Sequence, residues 1–284
     1  MIARMETIMI QDILPKQYHN EYYQKSPVSN SRIFCFTDNL VLIAKDADNS
    51  LCIPEYQELM EITGEEHCQF LFTIDEIDYF LYREEEKIQL PGYSFETVRI
   101  FRQIEPKDIC FAGVTANHLY SWYKFNRFCG RCGTKMHHND KERMLYCDKC
   151  GSQIYPKIVP AIIVAVTNEN KILMTQYAGR AYKNYALVAG FVEIGETLED
   201  TVRREIMEEV GLKVKNITYY KSQPWGFDSD LLMGFFAELD GEEQVTIDYN
   251  ELATAEWFER DKIQLEQDDI SLTREMIMKF KNNA

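Results

Sequence analysis

The sequence predicts a mixed α/β protein in three parts: an α+β domain, a small four-cysteine module, and a strand-rich α/β domain built around one amphipathic helix. Three observations lead there. The chain is 284 residues long, more than one ordinary domain needs. Cys129, Cys132, Cys147 and Cys150 crowd into one short stretch near its middle. On both sides of that stretch, short apolar runs alternate with turn residues. The boundaries drawn from these features are residues 1–126, 127–157 and 158–284.

In the first part, strands are expected at Ser31–Thr37, Asn39–Lys45, Glu66–Phe72 and Asp78–Arg83. A helix near Ala112–Phe125 leads into the cysteine module. His19, His67 and His118 stand alone here and form no catalytic cluster. In the last part, Ile158–Thr167 (IVPAIIVAVT) reads as a buried strand and Lys171–Tyr177 as its neighbour. Tyr185–Glu193 feeds a helix over about Thr197–Val210. Leu212–Pro224, Leu231–Leu239 and Glu251–Arg260 are further strands, and a helix over about Ser271–Lys281 closes the chain.

The central cysteines are spaced C-x2-C-x14-C-x2-C. Two such pairs form knuckles that close a tetrahedral zinc–thiolate site, and Gly130, Gly133 and Gly151 suit the tight turns. Redox C-x-x-C pairs are the alternative. Cys35, Cys52, Cys68 and Cys110 are scattered singly among apolar residues and read as buried free thiols. The formal charge of −15 argues against a general nucleic-acid or membrane surface. The cysteine module runs against that background, with seven basic and three acidic residues over 127–157. No apolar run approaches the ~18 residues of a membrane span. The opening MIARMETIMIQDILPK predicts no signal peptide, which implies a cytoplasmic protein with reduced thiols.

The helix over Thr197–Val210 carries the chemistry. At about 100° per residue, Leu198, Val202, Ile206 and Val210 form one apolar stripe. Asp200, Arg204 and Glu208 point away from it, whereas Glu205 and Glu209 fall at its edge. A half-buried carboxylate costs free energy unless it is paired or binds a metal. Carboxylates three and four residues apart make an oxygen-rich site for Mg²⁺ or a similar hard cation. Such a cation polarises phosphoryl oxygens and activates water.

Residues 190–212, GFVEIGETLEDTVRREIMEEVGL, match the pattern G-x5-E-x7-R-E-U-x-E-E-x-G-U, where U is apolar. That pattern resembles the Nudix hydrolases. The resemblance implies an α/β/α sandwich, with Glu205, Glu208 and Glu209 as Mg²⁺ or Mn²⁺ ligands. It also implies Glu209 as general base and an Arg204–Glu196 ion pair that fixes the loop. Downstream, SQPWGFDSD is similar to the S-Q-P-W-P-F-P-x-S of the NADH pyrophosphatase subgroup, except at Gly226, Asp228 and Asp230. That subgroup places a zinc ribbon before its catalytic domain and a Nudix-like α+β domain before the ribbon.

Carried over position by position, the resemblance makes Glu251 a further metal ligand or base and Phe191 the ring that stacks on nicotinamide. Tyr155, Ile163, Gln223 and Trp225 would bind the rest of the nucleotide. It implies a homodimer that hydrolyses NADH or NAD⁺ to nicotinamide mononucleotide and AMP, with NAD-capped RNA as a further substrate of some relatives. Two alternatives stay open: hydrolysis of another nucleotide diphosphate such as ADP-ribose, and a non-catalytic zinc-ribbon binding protein.

Overall fold

A computed structural model of the chain describes residues 9–62, 67–84, 87–102, 105–179, 184–264 and 270–282. Residues 1–8 of the N-terminal segment and Glu66 of the expected strand Glu66–Phe72 lie outside the described residues. Two compact units emerge: Ile10–Lys157 with Gly226–Ser229, and Ile158–Trp225 with Asp230–Ala284 and Met9. No helix among the described residues is long and apolar enough to cross a membrane.

The first unit begins with strands β1 (Tyr18–His19), β2 (Arg32–Phe34), β3 (Phe36–Thr37), β4 (Leu40–Lys45) and β5 (Leu51–Cys52), then a short helix, α1 (Tyr56–Leu59). Strands β6 (Cys68–Ile74), β7 (Ile77–Tyr82) and β8 (Ser94–Thr97) follow, then a long helix, α2 (Lys107–Phe125). One sheet has the order β1-β6-β7-β2; a second has β3-β4-β5, with β8 also on β4. The expected single strand Ser31–Thr37 is broken at Cys35, because β2 runs parallel to β7 while β3 turns back on β4. Ile33, Phe34, Cys35 and Phe36 are all buried, so the run reads as one strand although it serves two sheets. Helix α2 starts earlier than expected, directly after Pro106, a residue compatible with helix entry because it has no N–H to satisfy. Cys35 and Cys110 are buried as expected, but Cys52 and Cys68 are only half-buried at the ends of β5 and β6. Gly226 lies against α2: an added Cβ would run into the Val114 carbonyl, and Asn117 Nδ2 donates to the Gly226 carbonyl at 3.3 Å. A glycine there, rather than the proline of the related motif, has a steric reason.

The cysteine module forms strands β9 (His137–His138), β10 (Leu145–Tyr146) and β11 (Gln153–Ile154), joined as the antiparallel sheet β11-β10-β9. Each cysteine pair turns in the same way. Gly133 N–H donates to the Cys129 carbonyl at 2.8 Å, and Gly151 N–H to the Cys147 carbonyl at 2.9 Å. Both glycines have positive φ, 69° and 71°.

The second unit is a six-stranded mixed sheet: β12 (Val159–Asn168), β13 (Lys171–Tyr177), β14 (Val188–Phe191), β15 (Val214–Trp225), β16 (Asp230–Leu239) and β17 (Leu252–Glu259). The order is β15-β16-β12-β13-β17, with β14 also on β12, and β12 and β16 run parallel. Helices α3 (Leu198–Val210) and α4 (Leu272–Asn282) cover opposite faces. Strand β12 shows why. Ile162, Val164 and Val166 pack in the cluster of Val202, Ile206 and Val210 from α3, while Ile163 and Ala165 pack in that of Met276, Ile277 and Phe280 from α4. Both faces of β12 are covered, so its sequence is continuously apolar rather than alternating. The α/β/α sandwich expected from the sequence is present.

Candidate active site

Helix α3 starts where the Thr197 hydroxyl accepts the Asp200 N–H at 3.1 Å, and stops at Gly211, which takes φ 67°. Its buried residues are Thr201, Val202, Glu205, Ile206, Glu209 and Val210. The buried face thus extends toward the polar side of the apolar stripe and takes in both edge glutamates. Strand β14 makes this possible: an added Cβ on Gly190 would collide with the Glu205 carboxyl. The glycine lets that carboxylate lie against the strand.

Arg204 joins the parts. Its guanidinium donates to Glu196 at 2.6 and 2.9 Å, to Glu205 at 2.7 Å, to Glu208 at 2.9 Å and to the Phe191 carbonyl at 3.0 Å. The ion pair with Glu196 is present, and the same side chain also engages two of the expected metal ligands. Glu196 further accepts the Glu193 N–H at 3.2 Å and the Thr201 hydroxyl at 3.0 Å. These bonds, Arg204 first, hold its carboxyl down at about 2. Thr201 was not singled out from sequence; its place one turn above Glu205 was the available signal.

Glu209 is different. It is 2% exposed, and neither carboxylate oxygen has a hydrogen-bond partner. Burial, then the charges of Glu205, Glu251, Asp248 and Glu208, push its carboxyl up to about 8. Burial also raises Glu205, against the pull of Arg204. Glu208 is solvated, and Glu251 is exposed in the turn before β17. Asp248, three residues before Glu251, was not named from sequence; its backbone N–H donates to the Glu209 carbonyl at 2.9 Å.

A buried, unpartnered carboxylate within Coulombic reach of four others fits a hard divalent cation. The set is not drawn together around one point. Among the described residues, only the four cysteines bring three or more His, Cys, Asp or Glu ligand atoms within 4.8 Å of one another. Arg204 is hydrogen-bonded to two of them, Glu205 and Glu208.

The expected substrate residues differ in exposure. Phe191 is 54% exposed at the end of β14, beside the carboxylate helix, and Trp225 is half-buried at the end of β15. Ile163 is a core residue on the α4 face. Gln223 is fully buried: its amide accepts the Leu272 N–H at 2.7 Å and donates to the Ile270 carbonyl at 2.9 Å. Neither Ile163 nor Gln223 offers a surface to solvent. Tyr155 is exposed in the first unit, its hydroxyl donating to Glu142 at 2.8 Å.

In the ribbon, Cys129 and Cys150 sulfurs lie 3.5 Å apart, as do those of Cys132 and Cys147. That is too far for a disulfide at ~2.0 Å. It is close to the roughly 3.8 Å edge of a tetrahedron with zinc–sulfur bonds of ~2.3 Å. The donor set fits structural zinc.

Comparison with known proteins agrees with this reading. Residues 157–280 match the NUDIX domain family, and residues 126–155 the NADH pyrophosphatase zinc ribbon domain. Proteins of Salmonella paratyphi B and Salmonella newport, each named NAD-capped RNA hydrolase NudC, are 44% identical over 147 residues, covering 52% of this chain and 57% of theirs. The match thus spans little more than half the length of those relatives. A crystal structure of a NUDIX hydrolase from Nitrosomonas europaea aligns with a TM-score of 0.44 at 22% identity, over 55% of this chain and 92% of that one. With its glutamate helix set in the sandwich and its four cysteines clustered in the preceding ribbon, the chain carries a NUDIX domain over residues 157–280, preceded by an NADH pyrophosphatase zinc ribbon domain over residues 126–155.

Proposed function

We propose that this protein hydrolyses the diphosphate bridge of NADH or NAD⁺, releasing AMP and nicotinamide mononucleotide (in its reduced form from NADH), and acts on the same bridge in NAD-capped RNA. The observation that carries the proposal is Glu209, buried and unpartnered beside Glu205 on the signature helix. The proposed division of labour has residues 1–126 as a Nudix-like domain, 127–157 as the ribbon and 158–284 as the catalytic domain, in a cytoplasmic homodimer.

In the reaction, water adds to one phosphorus, the bridging P–O bond breaks, and the other phosphate leaves with that oxygen. Mg²⁺ or Mn²⁺, held by Glu205, Glu208, Glu209 and Glu251, would neutralise charge on the phosphoryl oxygens. Glu209 would receive the water's proton as the general base. Arg204 holds the Phe191 carbonyl and the Glu196 loop in place. The Phe191 ring offers a face for nicotinamide. The names of the ribbon family and of the Salmonella relatives support the choice of NAD.

The test is a hydrolysis panel of NADH, NAD⁺, NAD-capped RNA and ADP-ribose, each with Mg²⁺ or Mn²⁺. Nicotinamide mononucleotide as the product of the fastest reactions is expected. Faster turnover of ADP-ribose would mean that Gly226, Asp228 and Asp230 have redirected the site, and no turnover of any nucleotide would leave a binding protein.

A further inference from the structure

One cavity of the first unit is lined by none of the carboxylates of α3 and by neither Asp248 nor Glu251. It measures about 610 Å³, within the range of sites for small organic ligands. Arg83, Lys124, Arg127 and Lys135 line it, against one lining carboxylate, Glu84. On a chain with a net charge of −15, four cations around one hollow run against the background. Part of this charge is already engaged: Lys124 meets Asp38 at 2.7 Å, His67 meets Glu84 at 3.0 Å, and Arg83 and Arg127 also have partners. Lys135 and Arg127 are exposed at the rim.

Rings line much of the rest, beside Leu81, Met136 and Leu145. Tyr123 stacks on His138 with centroids 5.0 Å apart and planes 27° from parallel, and Tyr146 sits 5.9 Å from His137. The His138 Nδ1 is buried and has no hydrogen-bond partner. Rings accept the face of any nucleobase, and arginine and lysine accept phosphate. A peptide would need neither in this proportion, and inorganic phosphate would leave the rings unused.

We propose that this cavity is a second ligand site, separate from the carboxylate site, which takes a phosphorylated nucleotide. The nucleotide comes either free or as the 5′ end of an RNA chain.

The experiment uses the full-length, zinc-loaded protein without added divalent cation. 8-Azido-AMP is photo-crosslinked and the labelled peptides are mapped, while AMP, adenosine and inorganic phosphate are titrated by calorimetry. Label within residues 120–146 is expected, with adenosine and phosphate each binding at least about tenfold more weakly than AMP. Combining Arg127→Glu with Lys135→Glu, both at exposed positions, should weaken AMP binding by about tenfold or more and leave zinc content and kcat on NADH unchanged. Tighter binding of a 5′-monophosphorylated oligonucleotide than of AMP assigns the site to RNA ends; equal or weaker binding assigns it to free nucleotide. Label confined to residues 188–251, or AMP affinity indifferent to the double change, overturns the proposal whether or not the protein hydrolyses NADH.

Discussion

Glu209 carries a burden that its neighbours do not share. Its carboxyl is raised to about 8, so between the ordinary carboxylate value and that point the metal-free folded protein binds a proton that the unfolded chain has lost. Folding stability attributable to this residue is therefore present below about pH 4.5 and lost as pH rises toward 8. The metal-free protein should melt at a lower temperature at pH 8.5 than at pH 6, by on the order of 5 °C, and Glu209→Gln should flatten that dependence. Adding Mg²⁺ at pH 8.5 should recover the loss in wild type and not in the variant. A pH profile of Tm that is the same in both proteins would remove Glu209 as its source. In the same variant kcat should fall by roughly 10²-fold or more, as expected for a base. Phe191→Ala addresses substrate rather than chemistry. Lost stacking should cost NADH ~1–3 kcal/mol and ADP-ribose less, which lowers the ratio of their kcat/KM values. An unchanged ratio would mean that the ring does not stack on nicotinamide.

Helix α3 and strand β14 work as one element. Gly190→Ala would force a methyl group into the Glu205 carboxyl, and overpacking of this kind costs ~1–3 kcal/mol. Circular dichroism should still show the fold, while metal-dependent turnover drops sharply; full activity in a stable Gly190→Ala protein would show that Glu205 need not lie against the strand. The sequence exposed much of this element. Glycines at both ends and a 3.6-residue apolar period are local signals, and they located α3 to within a residue. The burial of Thr201 was less legible, because it depends on tertiary packing rather than on the apolar period of the helix. The same limit applies to β2 and β3. A run buried on both sides gives no period from which to read the break at Cys35. Gln223 reads from sequence as a motif residue that could face a ligand. Its partners, Ile270 and Leu272, lie far along the chain and leave no local trace.

At the scale of the whole molecule, the ribbon is small and its core is the cysteine cluster with Trp122, Met136 and Leu145. So little apolar material needs a metal to hold it, and zinc binding there is folding energy. Changing both Cys147 and Cys150 to Ser should release zinc and open the ribbon to proteolysis. Glu205 and Glu209 sit in the other unit and keep their places. Elemental analysis of wild-type protein should give about one zinc per chain; its absence in protein prepared without chelator would sink the ribbon assignment.

The buried amide of Gln223 gives the last helix a further part to play. It closes a hydrogen-bonded clasp between the end of β15 and the first turn of α4, two segments about fifty residues apart. The strand that presents Trp225 is therefore fastened from behind by the C-terminal helix. Fraying of that helix would loosen the SQPW segment even though no residue of α4 is assigned to catalysis. Amide hydrogen exchange along β15 should then rise and fall with that along α4. A designer replacing this helix with a fusion partner would be altering the mounting of the SQPW segment.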